Sequence, residues 1–450
     1  MRLDIKNSKR LAEAIKTLTG KSLDSPITGI TTDSRNCKSG DLYVALTGIR
    51  SDGHQYLDEI QRKNASAALV SKVSVSKNLK IKQILVDDTK KTLGLIANKW
   101  RKNFDIPVIA ITGSNGKTST KELLNHVLSD KYNVHATQGN YNTSIGLPLS
   151  LLKINKYHDL SIVEMGANQP GDIQYLCKIT EPTHGLITNV SSAHLEGFHS
   201  IQNILETKSA LFNYLDNGIS YVNYADERLR SIEVKGQKIT YGLNAECDFP
   251  ADIHHDDDGS IVLTIDSKEI KTKSKNLSFA KNIIAVSAVS ITLGLEWEWL
   301  QKRVLTFKPP EGRCKILNFK SITIIDDTYN ANLESCVAAI DYLMAFTGNG
   351  RKIVVFGDML ELGDASKEQH EKLGYKCSEA GLDAVFTIGQ EIKYTQSVIS
   401  GVPLNIHYDD SEALISYLKS ELKNNDKILF KGSRGMKMEN ILSRVFTAQC

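Results

Sequence analysis

The stretch Pro107-Val-Ile-Ala-Ile-Thr-Gly113-Ser-Asn-Gly116-Lys117-Thr118 decides the fold of this 450-residue chain. An apolar run ends in a glycine-rich turn, and helix-forming residues follow, so the sequence predicts a strand, a phosphate-binding loop and a helix. Lys117 would reach terminal phosphates, and the Thr118 hydroxyl would ligate Mg2+. Backbone N–H groups and the helix N-terminus would hold the other phosphate oxygens. The predicted nucleotide contacts are Gly113, Ser114, Asn115, Gly116, Lys117, Thr118 and Ser119.

The loop departs from the commonest phosphate-loop pattern at one position. That pattern has a glycine five residues before Gly116, where this chain has Ile111. The loop therefore has the shorter form Gly-x-x-Gly-Lys-Thr. A plain turn between a strand and a helix would not require two glycines, a lysine and a threonine together, so we expect a nucleoside triphosphate to bind here.

Composition limits the classes of protein to which the chain can belong. With 41% hydrophobic and 24% charged residues, it is typical of a globular protein of roughly two to four domains. The formal net charge of +3 is close to balance, and no basic block is interleaved with aromatic residues. We therefore expect no nucleic-acid partner and no membrane insertion. We also expect a monomer that acts on small polar or phosphorylated ligands.

The N-terminus and the cysteines indicate the compartment. The first ten residues carry too many charges for the apolar core of a signal peptide. The apolar stretch at 283–295 is too short and too interrupted by Ser and Thr to span a bilayer. Seven cysteines without a Cys-x-x-Cys pair favour reduced thiols. The sequence therefore predicts a cytoplasmic location.

Alternating strand and helix patterns predict three domains. Residues 1–87 predict a small α/β module, and residues 88–310 predict a parallel, doubly wound sheet that carries the phosphate loop. Residues 311–450 predict a second α/β domain, which lacks the Gly-x-Gly-x-x-Gly turn of dinucleotide sites. The helix before the phosphate loop has its apolar positions at Leu93, Leu95, Ile96 and Trp100. The strands predicted after the loop are 160–164, 185–190, 219–223, 321–326, 352–357, 384–389 and 427–432.

Residues 236–275 change to short alternating strands, with the acidic and histidine-rich segment 254–259 between two of them. Such a cluster could be a metal site. A hairpin turn is the better interpretation, because Asp258-Gly259 is a turn signal and no further ligands flank it.

Two residues that follow apolar strands are candidates for the metal site. Glu164 stands at a strand end, where its carboxylate could either ligate Mg2+ or cap the next turn. His194 lies in the loop after another strand and could be either exposed or a ligand. Because ligands collect at the carboxyl ends of parallel strands, both positions favour a role in the nucleotide site.

Lys208 is predicted to lie on the apolar face of a helix. Ile201, Ile204, Leu205 and Phe212 define that face, and Lys208 follows Ile201 by seven residues. The lysine could extend towards solvent, pair with a carboxylate or be directed into the site. A bare ammonium would be repelled by Mg2+, whereas addition of CO2 would turn the amine into a carboxylate-like ligand.

Four motifs together resemble the ATP-dependent Mur ligases of bacterial cell-wall synthesis, and the resemblance spans essentially the whole chain. Further motifs resemble the member of that family that adds D-alanyl-D-alanine. The four family motifs are Thr112-Gly-Ser-Asn-Gly-Lys-Thr118, Glu164-Met-Gly-Ala-Asn168, Ala193-His-Leu-Glu-Gly-Phe198 and Thr207-Lys-Ser-Ala-Leu-Phe212. The further motifs include Gly139-Asn-Tyr-Asn142, Asp326-Asp-Thr-Tyr-Asn-Ala-Asn332 and Lys431-Gly-Ser-Arg434.

The resemblance implies an α/β fold of three domains. A small N-terminal α/β domain would bind the uridine nucleotide, a central domain like a phosphate-loop ATPase would bind ATP, and a C-terminal Rossmann-like domain would close over ATP. It also implies a reaction. The terminal carboxylate of UDP-N-acetylmuramoyl-tripeptide would attack the γ-phosphate of ATP, and the amine of D-alanyl-D-alanine would then displace phosphate from the acyl phosphate.

The resemblance also implies roles for single residues. Thr118 and Glu164 would hold one Mg2+, and Glu164, His194 and a carbamylated Lys208 would organise a second, with Lys117, Glu164, His194 and Lys208 as the catalytic set. Asn282 would contact adenine, while Arg313 and Asp326 would meet the triphosphate and the ribose. From the residues alone, Arg313 could be a surface charge and Asp326 a turn residue. The implied substrate-binding residues are Asp33, Ser34, Arg35, Asn140, Asn142, Tyr329, Asn330 and Asn332.

Two other functions stay open at this stage. The chain could be a related ligase that adds a different residue to a nucleotide-linked or folate-like acid. It could instead be a switch protein that hydrolyses ATP without joining anything. Phosphate release that depends on both acceptor substrates would separate a ligase from a switch.

Overall fold

The computed structural model describes residues 2–23, 25–48, 51–74, 78–192 and 195–446. The chain divides into two compact units. One comprises residues 1–110, 132–166 and 171–184, and the other comprises residues 111–131, 167–170 and 185–450. The described strands form three sheets, of five, nine and six strands. This mixed α/β architecture agrees with the predicted fold class.

The helices and strands have the following bounds. The first part of the chain forms β1 Arg2–Asp4, α1 Ser8–Thr19, β2 Gly29–Thr31, β3 Asp41–Val44, α2 Leu57–Arg62, β4 Ala67–Val70, β5 Gln83–Leu85 and α3 Thr89–Arg101. The middle part forms β6 Val108–Thr112, α4 Lys117–Leu128, β7 Val134–Ala136, α5 Gly146–Leu151, β8 Leu160–Glu164, α6 Asp172–Thr180, β9 His184–Ile187, α7 Leu195–Phe198, α8 Ile201–Tyr214, β10 Ile219–Asn223, α9 Glu227–Arg230, β11 Gln237–Gly242, β12 Phe249–His255, β13 Ile261–Ile265, β14 Lys268–Lys271, α10 Leu277–Thr292 and α11 Trp297–Thr306. The last part forms β15 Lys315–Phe319, β16 Ile322–Asp327, α12 Leu333–Met344, β17 Lys352–Gly357, α13 Ser366–Glu379, β18 Ala384–Ile388, α14 Lys393–Val398, β19 Leu404–Tyr408, α15 Ser411–Glu421, β20 Lys427–Lys431 and α16 Met438–Phe446.

The first unit contains the five-stranded sheet, in the order β1-β2-β3-β4-β5. Strands β2 to β5 are parallel, and β1 pairs with β2 in the antiparallel sense. Helix α3 buries Leu93, Ile96 and Trp100, as its helical spacing predicts, but Leu95 is 50% exposed. The inclusion of Leu95 in the apolar face was wrong, because residues 93 and 96 share a helical face that residue 95 does not.

In the second unit, the strands that follow β9 change from parallel to antiparallel pairing. Strands β10, β11 and β12 pair in parallel, and β12, β13 and β14 then form antiparallel hairpins. The turn between β12 and β13 contains Asp258 and Gly259, and it closes through a hydrogen bond from Asp256 N to Ser260 O of 2.9 Å. The predicted hairpin at 254–259 is therefore confirmed. Within the described ranges, no group of three or more His, Cys, Asp or Glu side chains is arranged to hold a metal ion.

The last sheet of the second unit has the order β15-β16-β20-β17-β18-β19, and all neighbours except β15 and β16 are parallel. Its central strands are continuous apolar runs because helices cover both faces of a parallel sheet. Val354, Val355 and Phe430 are fully buried there. The predicted strands are confirmed in this region, with ends that differ from the prediction by at most one residue.

Other general features of the chain concern its thiols and its helices. The cysteines of the described ranges carry free thiols. Across those same ranges, none of the helices combines the length and the apolar character that crossing a membrane requires. The predicted domain boundaries after residues 87 and 310 stay predictions.

Candidate active site

The phosphate loop of the second unit requires glycine at two positions. Gly113 follows β6 with a φ of 142°, and a β-carbon there would lie 1.9 Å from Thr188 Oγ1. Gly116 precedes the first turn of α4 with a φ of 82°, and a β-carbon there would lie 3.1 Å from Asn282 Oδ1. Since both φ values lie where side chains are strained, the loop shape depends on these glycines. The same contact places Asn282 beside the loop.

Lys117 folds across the loop that precedes it. Its Nζ donates hydrogen bonds to the carbonyl oxygens of Gly113, at 2.6 Å, and Ser114, at 3.1 Å. The ammonium therefore stands at the loop, where an incoming phosphate would meet both this charge and the N-terminus of α4.

Lys208 is buried and directed to the same loop. Only 3% of the residue is exposed, and its Nζ donates to the carbonyl oxygen of Gly113 at 3.1 Å. Burial, and then the neighbouring Lys117 ammonium, hold the pKa of Lys208 well below its usual value. Of the alternatives left open by the sequence, the structure supports the side chain directed into the site. A neutral amine in this position is a nucleophile.

A residue of the predicted linker reaches the loop from the C-terminal part of the second unit. Arg313 Nη2 donates to Thr118 Oγ1 at 3.4 Å. Its guanidinium carbon lies 3.8 Å from the centre of the Tyr329 ring, within the range of a cation–π contact. Arg434 approaches the same ring, with its guanidinium carbon 5.5 Å from the ring centre. Arg313 is therefore no ordinary surface charge.

Asp326 closes a local turn at the end of β16. Its Oδ2 accepts from Gly312 N at 3.0 Å, and its Oδ1 accepts from Thr328 Oγ1 at 2.7 Å. These bonds correspond to the turn-residue alternative, and the ribose contact stays a prediction.

The next residue, Asp327, forms a buried ion pair. Lys431 Nζ lies 2.5 Å from Asp327 Oδ2 and donates to Asn330 O at 2.9 Å. Burial alone would lower the pKa of Lys431, but the Asp327 carboxylate overcomes this and raises that pKa above its usual value. Arg434 N donates to Asn330 Oδ1 at 3.4 Å, so Asn330 is held from both sides.

Asn332 reaches the phosphate loop. Its Nδ2 donates to Asn115 Oδ1 at 2.8 Å, and its Oδ1 caps α12 by accepting from Ser335 N at 2.9 Å. The structure therefore brings together the loop, Lys208, Asn282, Arg313 and Asn332 within the second unit.

In the first unit, Glu164 ends β8 with only 2% of the residue exposed. Its Oε1 accepts from Asn142 Nδ2 at 2.7 Å, and Asn142 O accepts from Gly166 N at 2.8 Å. The structure thus brings Glu164 and Asn142 together, while Asn140 is exposed in the turn that precedes Asn142.

The predicted uridine-binding residues form a tight turn in the first unit. Asp33 accepts from Arg35 Nε at 2.9 Å and from Arg35 Nη2 at 2.8 Å, and this hydrogen-bonded pair lowers the pKa of Asp33 to about 2. Ser34 Oγ donates to Glu59 Oε2 at 2.8 Å, and Lys63 Nζ donates to Ser34 O at 2.7 Å. Glu59 and Lys63 were not identified from the sequence, since only their fold brings them to this turn.

His194 lies outside the described residues, so its predicted ligand role stays a prediction. The segment just before it supplies contacts that sequence reasoning missed. Asn189 Oδ1 accepts from Asn115 N at 3.0 Å, and Thr188 Oγ1 donates to Asn115 O at 2.6 Å. Ser191 Oγ accepts from Asn115 Nδ2 at 3.0 Å. A run of Thr, Asn and Ser after a strand next to the phosphate loop was the available signal.

Three family sequence profiles match successive segments of the chain. They are described as the Mur ligase family, catalytic domain, over residues 26–101, the Mur ligase middle domain, over residues 111–290, and the Mur ligase, glutamate ligase domain, over residues 312–434.

Relatives in several bacteria match along most of their length. The UDP-N-acetylmuramoyl-tripeptide--D-alanyl-D-alanine ligase of Synechocystis is 34% identical over 442 residues, covering 97% of this chain and 95% of the relative. The Escherichia coli protein of the same name is 32% identical over 450 residues, covering 97% of this chain and 98% of the relative.

Solved structures give the same picture. MurF from Acinetobacter baumannii superposes with a TM-score of 0.87 at 29% identity, covering 97% of this chain and 98% of that chain. The MurF ligase from Thermotoga maritima in complex with ADP has a TM-score of 0.82 at 33% identity, covering 92% and 96%.

Proposed function

We propose that this chain, which belongs to the Mur ligase family, is an ATP-dependent ligase that joins D-alanyl-D-alanine to UDP-N-acetylmuramoyl-tripeptide. The product is the pentapeptide precursor of peptidoglycan. One observation supports this proposal most directly. Lys117 and Lys208 both donate to the carbonyl oxygen of Gly113 in the phosphate loop, and Arg313 donates to Thr118, just after that loop. That arrangement concentrates positive charge and donors where a triphosphate binds.

The first chemical step is attack of the tripeptide carboxylate on the γ-phosphate of ATP, which gives an acyl phosphate and ADP. The amine of D-alanyl-D-alanine then attacks the acyl carbon, an amide bond forms, and phosphate leaves. Lys117, Arg313 and the N-terminus of α4 neutralise the charge of the transferring phosphoryl group. Positioning and charge neutralisation supply most of the rate in phosphoryl transfer, so no covalent enzyme intermediate is required.

Lys208 is proposed to carry a carbamate. Its pKa is lowered by burial and by Lys117, and both effects favour the neutral amine. The neutral nitrogen adds to CO2, and the proton that is lost goes to solvent. The product is an anion beside the Lys117 ammonium, which replaces a repulsion between two cations by an attraction.

Magnesium ligands are proposed at Thr118 and Glu164, with His194 and the Lys208 carbamate as further ligands. The Thr118 hydroxyl and the buried Glu164 carboxylate offer the oxygen donors that Mg2+ prefers. When bound, Mg2+ would offset the negative charge of the phosphates. Two such ions are proposed, as in the sequence-based prediction.

Substrate roles are proposed for the three predicted domains. Residues 1–87, with Asp33, Ser34 and Arg35, would bind the uridine nucleotide, and residues 88–310 would bind ATP with Asn282 at the adenine. Residues 311–450 would bind the amino substrate, with Tyr329 and Asn330 near the dipeptide, and would bring Asp326 to the ribose. We place the reaction in the cytoplasm and expect a monomer.

The test is phosphate release from ATP and Mg2+ with both acceptor substrates, with either one omitted and with neither, while mass spectrometry detects the pentapeptide. We expect product only when all three substrates are present. Lys117→Ala should abolish the reaction, whereas Lys268→Ala, at an exposed lysine of β14, should not change it. ATP hydrolysis that is indifferent to both acceptors would support a switch protein instead.

A further inference from the structure

Asn115, in the middle of the phosphate loop, is held on every side by protein groups. Its backbone N–H donates to Asn189 Oδ1 at 3.0 Å, and its carbonyl accepts from Thr188 Oγ1 at 2.6 Å and from Asn189 Nδ2 at 3.1 Å. Its side-chain Nδ2 donates to Ser191 Oγ at 3.0 Å. These four bonds come from the single segment that follows β9. The backbone N–H of Asn115 is thus occupied within the protein.

The fifth bond to Asn115 comes from a distant part of the chain. Asn332, 217 residues later, donates from Nδ2 to Asn115 Oδ1 at 2.8 Å. Asn332 is 8% exposed. This bond joins a buried amide to a partly buried one, and a buried polar group is costly to leave without its partner. The side chain therefore fixes the distance between the phosphate loop and the start of α12.

Both ends of the Asn332 amide are engaged. Its Oδ1 accepts from Ser335 N at 2.9 Å, and Ser335 Oγ accepts from Asn332 N at 3.0 Å, so the two residues form a capping box at the start of α12. The rigid helix start thereby holds the donor nitrogen towards the loop. Since its oxygen and its nitrogen each already make one hydrogen bond within the protein, Asn332 has less capacity left to bind a dipeptide.

A second hydrogen bond also joins the start of α12 to this region. Glu334, in the first turn of α12, accepts from Ser192 N at 3.3 Å through Oε1. The start of α12 thus meets both Asn115 and the segment that supports Asn115. Two contacts from one helix start restrain rotation as well as distance.

We propose that Asn332 is a positioning residue for the ATP site rather than a dipeptide contact. Its hydrogen bond to Asn115 sets the phosphate loop in its nucleotide-binding shape when the start of α12 is docked. The inference rests on the proposed function for its kinetic readout. It extends that function by assigning Asn332 to the nucleotide half of the reaction.

The test variant is Asn332→Ser. Serine keeps the oxygen that caps α12 but is too short to reach Asn115. We expect the KM for ATP to rise about fivefold, the size expected for one lost hydrogen bond between neutral groups, and the KM for D-alanyl-D-alanine to stay within about twofold. Ser335→Ala is the matched control: it removes the two hydrogen bonds between Ser335 Oγ and the Asn332 backbone, keeps the bond from Ser335 N to Asn332 Oδ1 and the Asn332–Asn115 bond, and should leave the KM for ATP unchanged.

ADP binding measured by calorimetry gives a readout that needs no ligase turnover, so failure of this inference and failure of the proposed function are distinguishable. Asn332→Ser should weaken ADP binding by the same factor, and adding Asn115→Ala should weaken it less than the two single effects combined, because the two residues share one bond. Unchanged ADP binding, strictly additive effects, or a rise in the dipeptide KM alone would each overturn the proposal. Circular dichroism of the folded variants excludes loss of fold as the cause.

Discussion

Two buried lysines of the second unit, Lys208 and Lys431, have surroundings that drive their pKa values in opposite directions. Lys431 is 2% exposed and faces the Asp327 carboxylate at 2.5 Å, which raises its pKa. Lys208 is 3% exposed, binds a carbonyl oxygen and faces the Lys117 ammonium, and its pKa is lowered.

The difference shows how burial serves two purposes. A buried cation with an anion beside it is stabilised in its charged form and holds two chain segments together. A buried amine beside another cation is shifted towards its neutral, nucleophilic form. Burial alone therefore does not identify a reactive lysine, whereas burial together with the sign of the neighbouring charge does.

The largest effect is expected from removal of the Lys208 amine. Lys208→Ala should lower kcat by about a thousandfold, the scale of losing one group that stabilises charge in the transition state, and should leave the melting temperature nearly unchanged or raised. Short carboxylates such as acetate should restore part of the activity by supplying the missing anion. The measurement is phosphate release at saturating substrates with increasing acetate.

The matched control for this rescue is Lys117→Ala, in which a cation is lost. Acetate should not restore that variant, because an anion cannot replace an ammonium. Equal rescue of both variants would contradict the carbamate.

The next largest effect is expected from removal of the Lys431 ammonium. Lys431→Met should lower the free energy of unfolding by about 3 kcal/mol, because it leaves the Asp327 carboxylate buried without its cation. Urea denaturation followed by circular dichroism would measure the change. The double variant Lys431→Met/Asp327→Asn should recover most of the loss, and a double variant as unstable as the single one would show that the ion pair is not the cause.

His135, in the first unit, is a third buried base that can be compared with the two lysines. Its ring is neutral, and both of its nitrogens are hydrogen-bonded. Nε2 donates to Ser150 O at 3.0 Å, and Nδ1 accepts from Ser161 Oγ at 2.7 Å. Burial, with a smaller effect of His158, lowers the pKa of His135 from 6.5 to about 3. In the unfolded chain this imidazole binds a proton below about pH 6.5, while the folded protein keeps it neutral. Stability from this group is therefore complete above pH 6.5 and is lost as the pH falls towards 3.

Unfolding in urea at a series of pH values tests this sign. Between pH 6 and pH 4.5, His135 should account for a loss of about 1.4 kcal/mol per pH unit. His135→Gln should show a shallower decline, although it is less stable at neutral pH. His254→Gln, at an exposed histidine, should keep the wild-type slope, and an unchanged slope in His135→Gln would refute the assignment.

The smallest effect concerns a cation held by an aromatic ring instead of a carboxylate. Tyr329→Leu removes the ring that lies 3.8 Å from the Arg313 guanidinium carbon and should raise the KM for ATP about threefold, in line with a partly exposed cation–π contact. Tyr329→Phe keeps the ring and should behave like the wild type in that constant. If Tyr329→Phe instead raised the KM for D-alanyl-D-alanine, the hydroxyl would be a dipeptide contact.

Much of the fold could be predicted because its signals are local. A few neighbouring residues are enough to predict the parallel strands from their apolar runs, the turn from Asp258-Gly259 and the phosphate loop from its glycines. The helical spacing around Lys208 predicted its apolar face, and its direction into the site was one of the stated alternatives. The prediction that Leu95 belongs to the buried face was wrong, because the apolar residues of one helical turn do not all point to the same side.

The parts that could not be predicted depend on contacts between distant segments. The bond from Asn332 to Asn115 spans 217 residues, and no spacing rule connects them. Asp326 is equally instructive, because a strand-end carboxylate has the same sequence signature whether it binds a ribose or closes a turn. The support of Asn115 by Thr188, Asn189 and Ser191 is also a contact between distant segments, and short polar side chains after a strand do not show which loop they will bind.

The crowding at Gly113 has a consequence for inhibitor resistance. Any other residue there would place a β-carbon 1.9 Å from Thr188 Oγ1, and the Thr188 hydroxyl itself supports Asn115. A compound that packs against the α-carbon of Gly113 would therefore contact a position where substitution is opposed both by the Thr188 side chain and by the φ of 142°. We therefore expect mutations that weaken such a compound to arise around its other contacts.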